Sequence, residues 1–470
     1  MMKIDWINEV ETRKEKLIEQ TQEFLRINSV LDESTATKDK PFGEGIHQAL
    51  SYMLTKGKEC DFSVKDVDGY AGYVEHGAGD ESVGVLCHLD VVPVGANWTS
   101  PPFSAEIRGG KIFARGAIDN KGPTMAAFFA LSLLSELDVP LSRRIRMIFG
   151  TDEESNWRCV EHYFKHEEMP TIGFAPDADF PIIHAEKGIM DVRLSYPIET
   201  HPDSEVELQS FVSGDRLNMV PDEAIAVIKG ERSRLEGLEQ HFKAAVEKEQ
   251  LEGHSKWEGE RVTFTLAGKS AHGSTPEKGQ NAGVLLANCL TKFAFDGSGS
   301  TFLMNIASTF TNDFHGEKLG IKTFDQVSGP LTVNLGRIHY EKDKEAILGL
   351  NIRYPVTAKG QDIRKGLEVF AKAKNATLDI LDHMEPSYVE KDHPLIQALQ
   401  AVYERQTGEE ATLLAIGGGT YARSLDVGVA FGPMFPGRED VAHQKDEYII
   451  IEDLIRATAI YAEAMYELAK

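Results

Sequence analysis

Five side chains of metal-ligand type stand where apolar runs of this sequence end. His88 closes a run in VGVLCHLDVV, Asp119 precedes a strongly apolar stretch, Glu154 follows RRIRMIFG, Asp177 follows IGFA, and His443 lies beyond GVAFGP. Two imidazoles and three carboxylates suit divalent first-row cations. If one carboxylate bridges, five protein ligands serve two ions, and each ion keeps a position for water, as hydrolysis requires. Asp119 is the expected bridge, because the mouth of a buried helix gives it a rigid mount. Asp90, two residues after His88, is expected to accept the proton on the other imidazole nitrogen and so fix the tautomer.

The doublet Glu153–Glu154 in GTDEESNWRC raises a separate question, because adjacent carboxylates repel. A solvated turn would tolerate them without any function. A carboxylate bound to a cation is neutralised, however, and its neighbour is then free to take a proton from a water whose pKa has fallen from about 15.7 toward 7. The residues therefore predict Glu154 as a ligand and Glu153 as general base. A lone HxD or a lone EE is a weak signal. The conjunction of five ligand-type residues, each at the end of an α/β element, carries the weight. Most of the 15 histidines, among them His162, His166, His241 and His254, sit in polar helical contexts and read as surface.

The elements that must position these residues can be read from periodicity. Helical spacing of apolar residues predicts a helix over 5–27 and another near 43–56. Short β-rich runs predict strands at 83–92, 143–150 and 172–175. TMAAFFALSLLSEL is apolar nearly all round, so it reads as a buried helix, with Pro123 in its first turn. This alternation predicts an α/β sheet, where ligands gather at the carboxyl ends of strands. After Gly188 the texture changes. Alternating stretches at 190–198, 261–268, 331–340 and 346–355, with helices near 234–249, 279–294 and 360–373, predict an α+β domain. From about 386 the α/β texture returns, with helices at 394–406 and 451–468. The expected organisation is a discontinuous domain, 1–187 plus 386–470, interrupted by 188–385.

Bulk composition narrows the function classes. At 470 residues the chain exceeds one ordinary core, and 41% hydrophobic residues suffice to bury two. Lysine and arginine total 50 against 74 acidic residues, a formal charge of -24. Such acidity repels phosphate backbones and anionic lipid, so neither nucleic acid nor membrane is an expected partner. Four scattered cysteines without a CxxC pair fit reduced thiols in the cytoplasm. The opening MMKIDWINEV lacks the apolar core of a signal peptide. GKS at 268–270 lacks the upstream glycine of a phosphate-binding loop, since Thr263 stands there, and no GxSxG nucleophile elbow occurs.

The segments HLDVVPVG, ARGAIDNKGP, GTDEESNW, FAPDADFP and VAHQKDE, in this order and spacing, resemble the M20 metallopeptidases. Within that family they are most similar to its bacterial dipeptidase branch, and the resemblance spans nearly the whole chain. It implies a phosphorylase/hydrolase-like catalytic domain with a mixed sheet, interrupted by an α+β lid domain. It implies two divalent ions, Zn2+ or alternatively Mn2+. His88, Asp119 and Asp177 would hold one, and Asp119, Glu154 and His443 the other, with Asp90 and Glu153 as orienting aspartate and base. It also implies a cis peptide after Asp119. Aspartate at 177 goes with cleavage of peptides that have a free amino end.

In the second domain LAGKSAHGSTPEKGQNA resembles the segment that lends a histidine, here His272, to the reacting carbonyl. RLNMVPD places Asn218, and LNIRYP places Arg353, at substrate-binding positions. Arginine suits a terminal carboxylate because its planar fork makes two charge-assisted hydrogen bonds. Gly417, Gly418 and Gly419 in IGGGTYAR lead toward an expected helix, so their amides are candidates for the same carboxylate, although a tight turn explains them equally well without the resemblance. The long interrupting domain implies a monomer that takes small peptides. The expected function is a two-metal dipeptidase. An N-acyl amino acid amidohydrolase and a catalytically silent peptide-binding protein are the alternatives.

Overall fold

The computed structural model describes residues 4–198, 205–293, 295 and 297–470. The chain divides into two compact units. The first comprises Met1–Ala185, Tyr388–Leu414 and Gly419–Lys470, and the second Glu186–Ser387 with Ala415–Gly418.

The first unit is built on a mixed sheet. Its strands run in the spatial order Ser63–Val67, Ala71–His76, Arg144–Gly150, Ser82–His88, Ile172–Ala175, Gly428–Ala430. The outer hairpin is antiparallel and the next four strands are parallel. Ser82–His88 is buried along its whole length, as a central parallel strand covered on both faces must be. In the register of this pair His88 stands opposite Gly150, so the chain leaves both strands at one edge of the sheet.

Helix Lys121–Glu136 is buried from Lys121 through Leu134 and packs against helix Ile451–Ala469 and the Ser82–His88 strand. Phe128, Phe129, Leu131, Val83, Val85, Leu454 and Tyr461 belong to one hydrophobic cluster there. A fully buried apolar side chain contributes about 1.5–3 kcal/mol, so this cluster anchors the helix whose mouth carries Asp119.

The second unit is an eight-stranded antiparallel sheet, in the order Gly253–Glu258, Arg261–Ala267, Glu223–Gly230, Val206–Ser213, Thr332–Glu341, Glu345–Tyr354, Gly188–Ser195, Thr377–Met384. Burial alternates along Glu223–Gly230 and Arg261–Ala267, which marks one packed and one open face. Helices Arg232–Lys248, Ala282–Leu290, Gly297–Phe310 and Gly360–Ala373 pack on this sheet.

The α/β class is what the alternation of apolar runs predicts, and the mixed sheet is what the family resemblance implies. Details differ for physical reasons. The helix expected over 5–27 is two, Trp6–Glu11 and Lys14–Leu25. At the break Thr12 Oγ1 and Arg13 Nη1 both donate to the carbonyl of Glu9, at 2.9 Å each, and side chains that compete for a backbone acceptor end a helix. The strand expected over 83–92 ends at His88, because the amide of Val91 turns away to the carbonyl of Ser29. The helix expected over 279–294 is Ala282–Leu290, started by the Asn281 side chain accepting from the amide of Val284; residue 294 lies outside the described residues. No helix among the described residues is long and apolar enough to cross a membrane.

Candidate active site

The edge of the first unit's sheet gathers the expected ligands. His88, fully buried, presents Nε2 to Asp119 Oδ1 at 2.9 Å and to Asp177 Oδ1 at 3.4 Å. Asp119 turns its other oxygen, Oδ2, to His443 Nε2 at 3.0 Å, and His443 Nε2 also meets Glu154 Oε1 at 3.1 Å. Ligand atoms of His88, Asp119 and Asp177 lie within 4.8 Å of one another, as do those of Asp119, Glu154 and His443, and those of His88, Glu153 and Glu154. Asp119 thus belongs to two triads, one through each oxygen. The Asp119–Asn120 peptide is cis.

The electrostatics describe a site crowded with negative charge. Burial, together with the charges of Asp177, Glu154 and Asp119, pushes the Glu153 carboxyl well above the ordinary carboxylate range. Burial likewise raises Glu154 and Asp177. Hydrogen bonds that His443 donates to Asp119 and Glu154 raise its imidazole to about 10. Burial opposes charge on His88, but Asp177, Asp119 and Asp90 outweigh it and lift its pKa. For Asp119 burial acts upward, yet its bonds to His443 and His88 hold it below the usual range. Carboxylates that raise one another and imidazoles that stay protonated beside them are what a preformed cation site looks like before its counter-charge. The donor set therefore fits divalent cations, and it fits two, because Asp119 offers one oxygen to each triad.

Asp90 faces the His88 ring with two groups. Its backbone carbonyl takes the Nδ1 hydrogen bond at 3.0 Å, while its carboxylate Oδ1 stands 3.6 Å away. The carboxylate also accepts the amides of Glu153 and Glu154, at 3.1 and 3.0 Å. The register accounts for these added partners: with His88 opposite Gly150, the turn after Gly150 passes by Asp90. The residue expected to orient an imidazole thus also fixes the glutamate doublet.

Several residues that the sequence does not single out hold the ligands in place. Glu447 is fully buried and accepts from the amides of Gly116 (3.1 Å), Ile118 (2.9 Å) and Asp119 (3.2 Å) and from Arg115 Nη1 (2.6 Å). Arg115 also donates to the carbonyls of His443 and Gln444, so one ion pair ties the Asp119 turn to the His443 loop. Asn120 Nδ2 donates to Asp177 Oδ1 at 2.8 Å. Gly150 is required where it stands: a Cβ there would lie 1.7 Å from the hydroxyl of Tyr421, a fully buried ring edge-on to His88. The signal for Glu447 was present, since it closes VAHQKDE, but a buried carboxylate that binds amides leaves no mark of its own in a sequence.

Within the second unit His272, Arg353 and Gly417 come together with the backbone of Asn218. The amide of Gly273 donates to the Asn218 carbonyl at 2.7 Å, and Arg353 Nη1 donates to the Gly417 carbonyl at 3.2 Å. Arg353 Nε is held by Asn351 Oδ1 at 2.8 Å. His272 Nδ1 lies 2.6 Å from Ser274 Oγ and accepts the amide of Ser274 at 3.3 Å, which assigns the ring proton to Nε2. Desolvation and the charge of Arg353 lower its pKa, so at neutral pH it is an uncharged donor. The glycine loop departs from expectation. Gly417 and Gly418 group with the second unit and Gly419 with the first. The loop leads into a four-residue 3-10 turn, Tyr421–Ser424, rather than an α-helix, and Thr420 Oγ1 accepts the amide of Ala422 there. This turn is too short to present a helix N-terminus, and Gly417 carries its carbonyl to Arg353, so the helix argument for these amides does not hold.

Comparison with known proteins gives the family and the fold. The family model described as Peptidase family M20/M25/M40 matches residues 84–467. A Bacillus subtilis (strain 168) protein named "Putative dipeptidase YtjP" is 53% identical over 99% of this chain and 100% of its own length. Among solved structures, aminoacylhistidine dipeptidase from Vibrio alginolyticus has a TM-score of 0.59 at 15% identity, covering 97% of this chain and 96% of its own. Human carnosine dipeptidase 1 has a TM-score of 0.54 at 15% identity, covering 98% of each chain.

Proposed function

The chain belongs to peptidase family M20/M25/M40 and is a hydrolase of peptide bonds, and from that membership we propose that it is a two-cation dipeptidase acting on dipeptides with a free amino end. The observation that carries this reading is the double engagement of Asp119, whose two oxygens face His88 at 2.9 Å and His443 at 3.0 Å. His88, Asp119 and Asp177 would hold one cation, and Asp119, Glu154 and His443 the second. Zn2+ is the proposed ion and Mn2+ the alternative, since both accept imidazole with carboxylate. When bound, the cations would polarise the scissile carbonyl and bring the pKa of a water within reach of a carboxylate base.

Glu153 takes the proton of the attacking water and passes it to the leaving amine. Asp90 holds Glu153 in place through its backbone amide. His272, neutral with its proton on Nε2, donates to the carbonyl oxygen as negative charge develops there. Arg353, with Asn218 and the 417–419 loop, is assigned to the terminal carboxylate of the substrate. Residues 188–385 are proposed as a lid domain interrupting the catalytic domain 1–187 and 386–470. A lid within the same chain fits a monomer and limits substrates to small peptides. A cytoplasmic setting is supported by Cys60, Cys87, Cys159 and Cys289, all free thiols.

The test is a panel of dipeptides and their N-acetylated forms, assayed after chelation and after re-addition of Zn2+ or Mn2+. Free dipeptides are expected to be cleaved only once a cation is restored, and acetylated ones far more slowly. Preference for the acetylated forms would make the chain an N-acyl amino acid amidohydrolase. Full activity in chelator would remove the cations from the mechanism.

A further inference from the structure

A second group of ligand-type side chains converges on the first unit, sharing no residue with the cluster around Asp119. Ligand atoms of Asp68, His162 and His166 lie within 4.8 Å of one another. His162 and His166 are one turn apart on helix Arg158–His166 and therefore share a face. Asp68 comes from the turn between strands Ser63–Val67 and Ala71–His76, where it adopts a left-handed φ of 55° ahead of Gly69.

The group is oriented as a ligand set. Asp68 Oδ2 lies 2.9 Å from His162 Nε2. His166 Nδ1 donates to the carbonyl of His162 at 2.8 Å, which leaves the lone pair of Nε2 for another partner. The His162 ring stacks on Tyr70, with centroids 4.3 Å apart and planes 21° apart, and lies 4.2 Å from the His166 ring. Both imidazoles are thus held before any ion arrives. Asp68 and His166 are exposed, so an ion can enter directly and keep waters in its remaining positions. An ion pair of Asp68 with His162 alone accounts for one imidazole. It gives no reason for His166 to be oriented beside it.

We propose that Asp68, His162 and His166 form an additional binding site for one divalent transition-metal ion of the imidazole-preferring class, Zn2+, Ni2+ or Co2+, separate from the catalytic cluster. Two imidazoles and one carboxylate favour such ions over Mg2+, which prefers oxygen and demands near-ideal octahedral geometry. The bound ion would act as a clip. Strand Ser63–Val67 is the outermost in its sheet and is largely exposed up to Val67, and Asp68 in its turn is exposed. The ion ties that turn to a helix starting four residues after Glu154. Thr151 Oγ1 already donates to the Tyr70 carbonyl, so turn, helix and the strand end leading to Glu153 become one cross-linked unit.

The proposal is tested by ion counting on untagged, metal-loaded protein. Wild type, H166Q and D68N are dialysed against a series of free Zn2+ concentrations and bound zinc per chain is measured by elemental analysis. H166Q is expected to saturate one equivalent below wild type, while D68N loses that equivalent or binds it at least about tenfold more weakly. Both variants should keep peptidase activity, and a parallel Mg2+ series should show no difference between the three proteins. Equal zinc counts and equal affinities in all three would overturn the site. Were H166Q to misfold, as judged by its melting curve in chelator, D68N at the exposed turn decides the question alone.

Discussion

Asp90→Asn separates two ways of building this site. Asp90 is 3% exposed, and its two oxygens take the amides of Glu153 and Glu154 at 3.1 and 3.0 Å. Asparagine keeps the shape but replaces one acceptor by an NH2, so one of those amides faces a donor. Hydrogen bonds to a charged group contribute about 1.5–3 kcal/mol, and an orphaned buried donor costs about 1–3 kcal/mol. A penalty of about 3 kcal/mol on this turn, expressed in the transition state, lowers kcat roughly a hundredfold, since each 1.36 kcal/mol is tenfold. His88 should be spared, because Nδ1 bonds the residue 90 carbonyl, which the variant retains. The assay is kcat on a free dipeptide, with bound metal measured on the same sample and folding checked by circular-dichroism melting. A kcat within about threefold of wild type, less than 1 kcal/mol of lost stabilisation, would refute the role given to the Asp90 carboxylate. Complete loss of metal would return Asp90 to the role of orienting His88.

Other perturbations address the remaining parts of the account. Glu153→Gln should lower kcat by roughly 10²–10⁴, the range of a lost general base, with metal content unchanged in elemental analysis. Metal binding should release protons. His443 is raised to about 10, so at pH 7 it is protonated and a cation must displace that proton. Calorimetry in two buffers of different ionisation enthalpy should detect the release, and apparent affinity should rise with pH up to about 10. The same shift fixes the sign for stability. In chelator, what the protonated imidazole contributes is full below the ordinary value of 6.5 and is lost as pH rises through about 10, so the chelated protein should melt progressively lower over that window. Gly150→Ala should destabilise by about 1–3 kcal/mol or more, because the new methyl meets the Tyr421 ring; a wild-type melting temperature would show that the ring has room to move.

The positions of chemistry were more legible than their connections. His88 closes an apolar run, Glu154 and Asp177 stand within four residues after one, and Asp119 precedes one, so hydrophobic patterning places them near element ends. Register is what patterning does not carry. Opposing His88 to Gly150 brings Asp90 to the Glu153 and Glu154 amides, and a backbone amide has no signature in a sequence. Glu447 hid for the same reason, as one of 74 acidic residues whose partners are amides and one arginine. Helix Gly297–Phe310 opens on GSGS, which reads as a turn, and its helical character comes from Phe302, Leu303, Ile306 and Phe310 packing into the second core. His162 and His166 looked like surface residues of a polar helix. Their spacing of four was the visible clue, while Asp68, about ninety residues away, became a partner only through the fold.

The central claim is that Asp119 joins two cation sites, one to each side. A zinc-soaked crystal of the wild-type protein, with anomalous data collected at the zinc edge, tests it most directly. The account predicts two peaks flanking the Asp119 carboxylate, one bonded by His88 and Asp177 and the other by Glu154 and His443. A single peak, or peaks that leave either Asp119 oxygen without an ion, would contradict it.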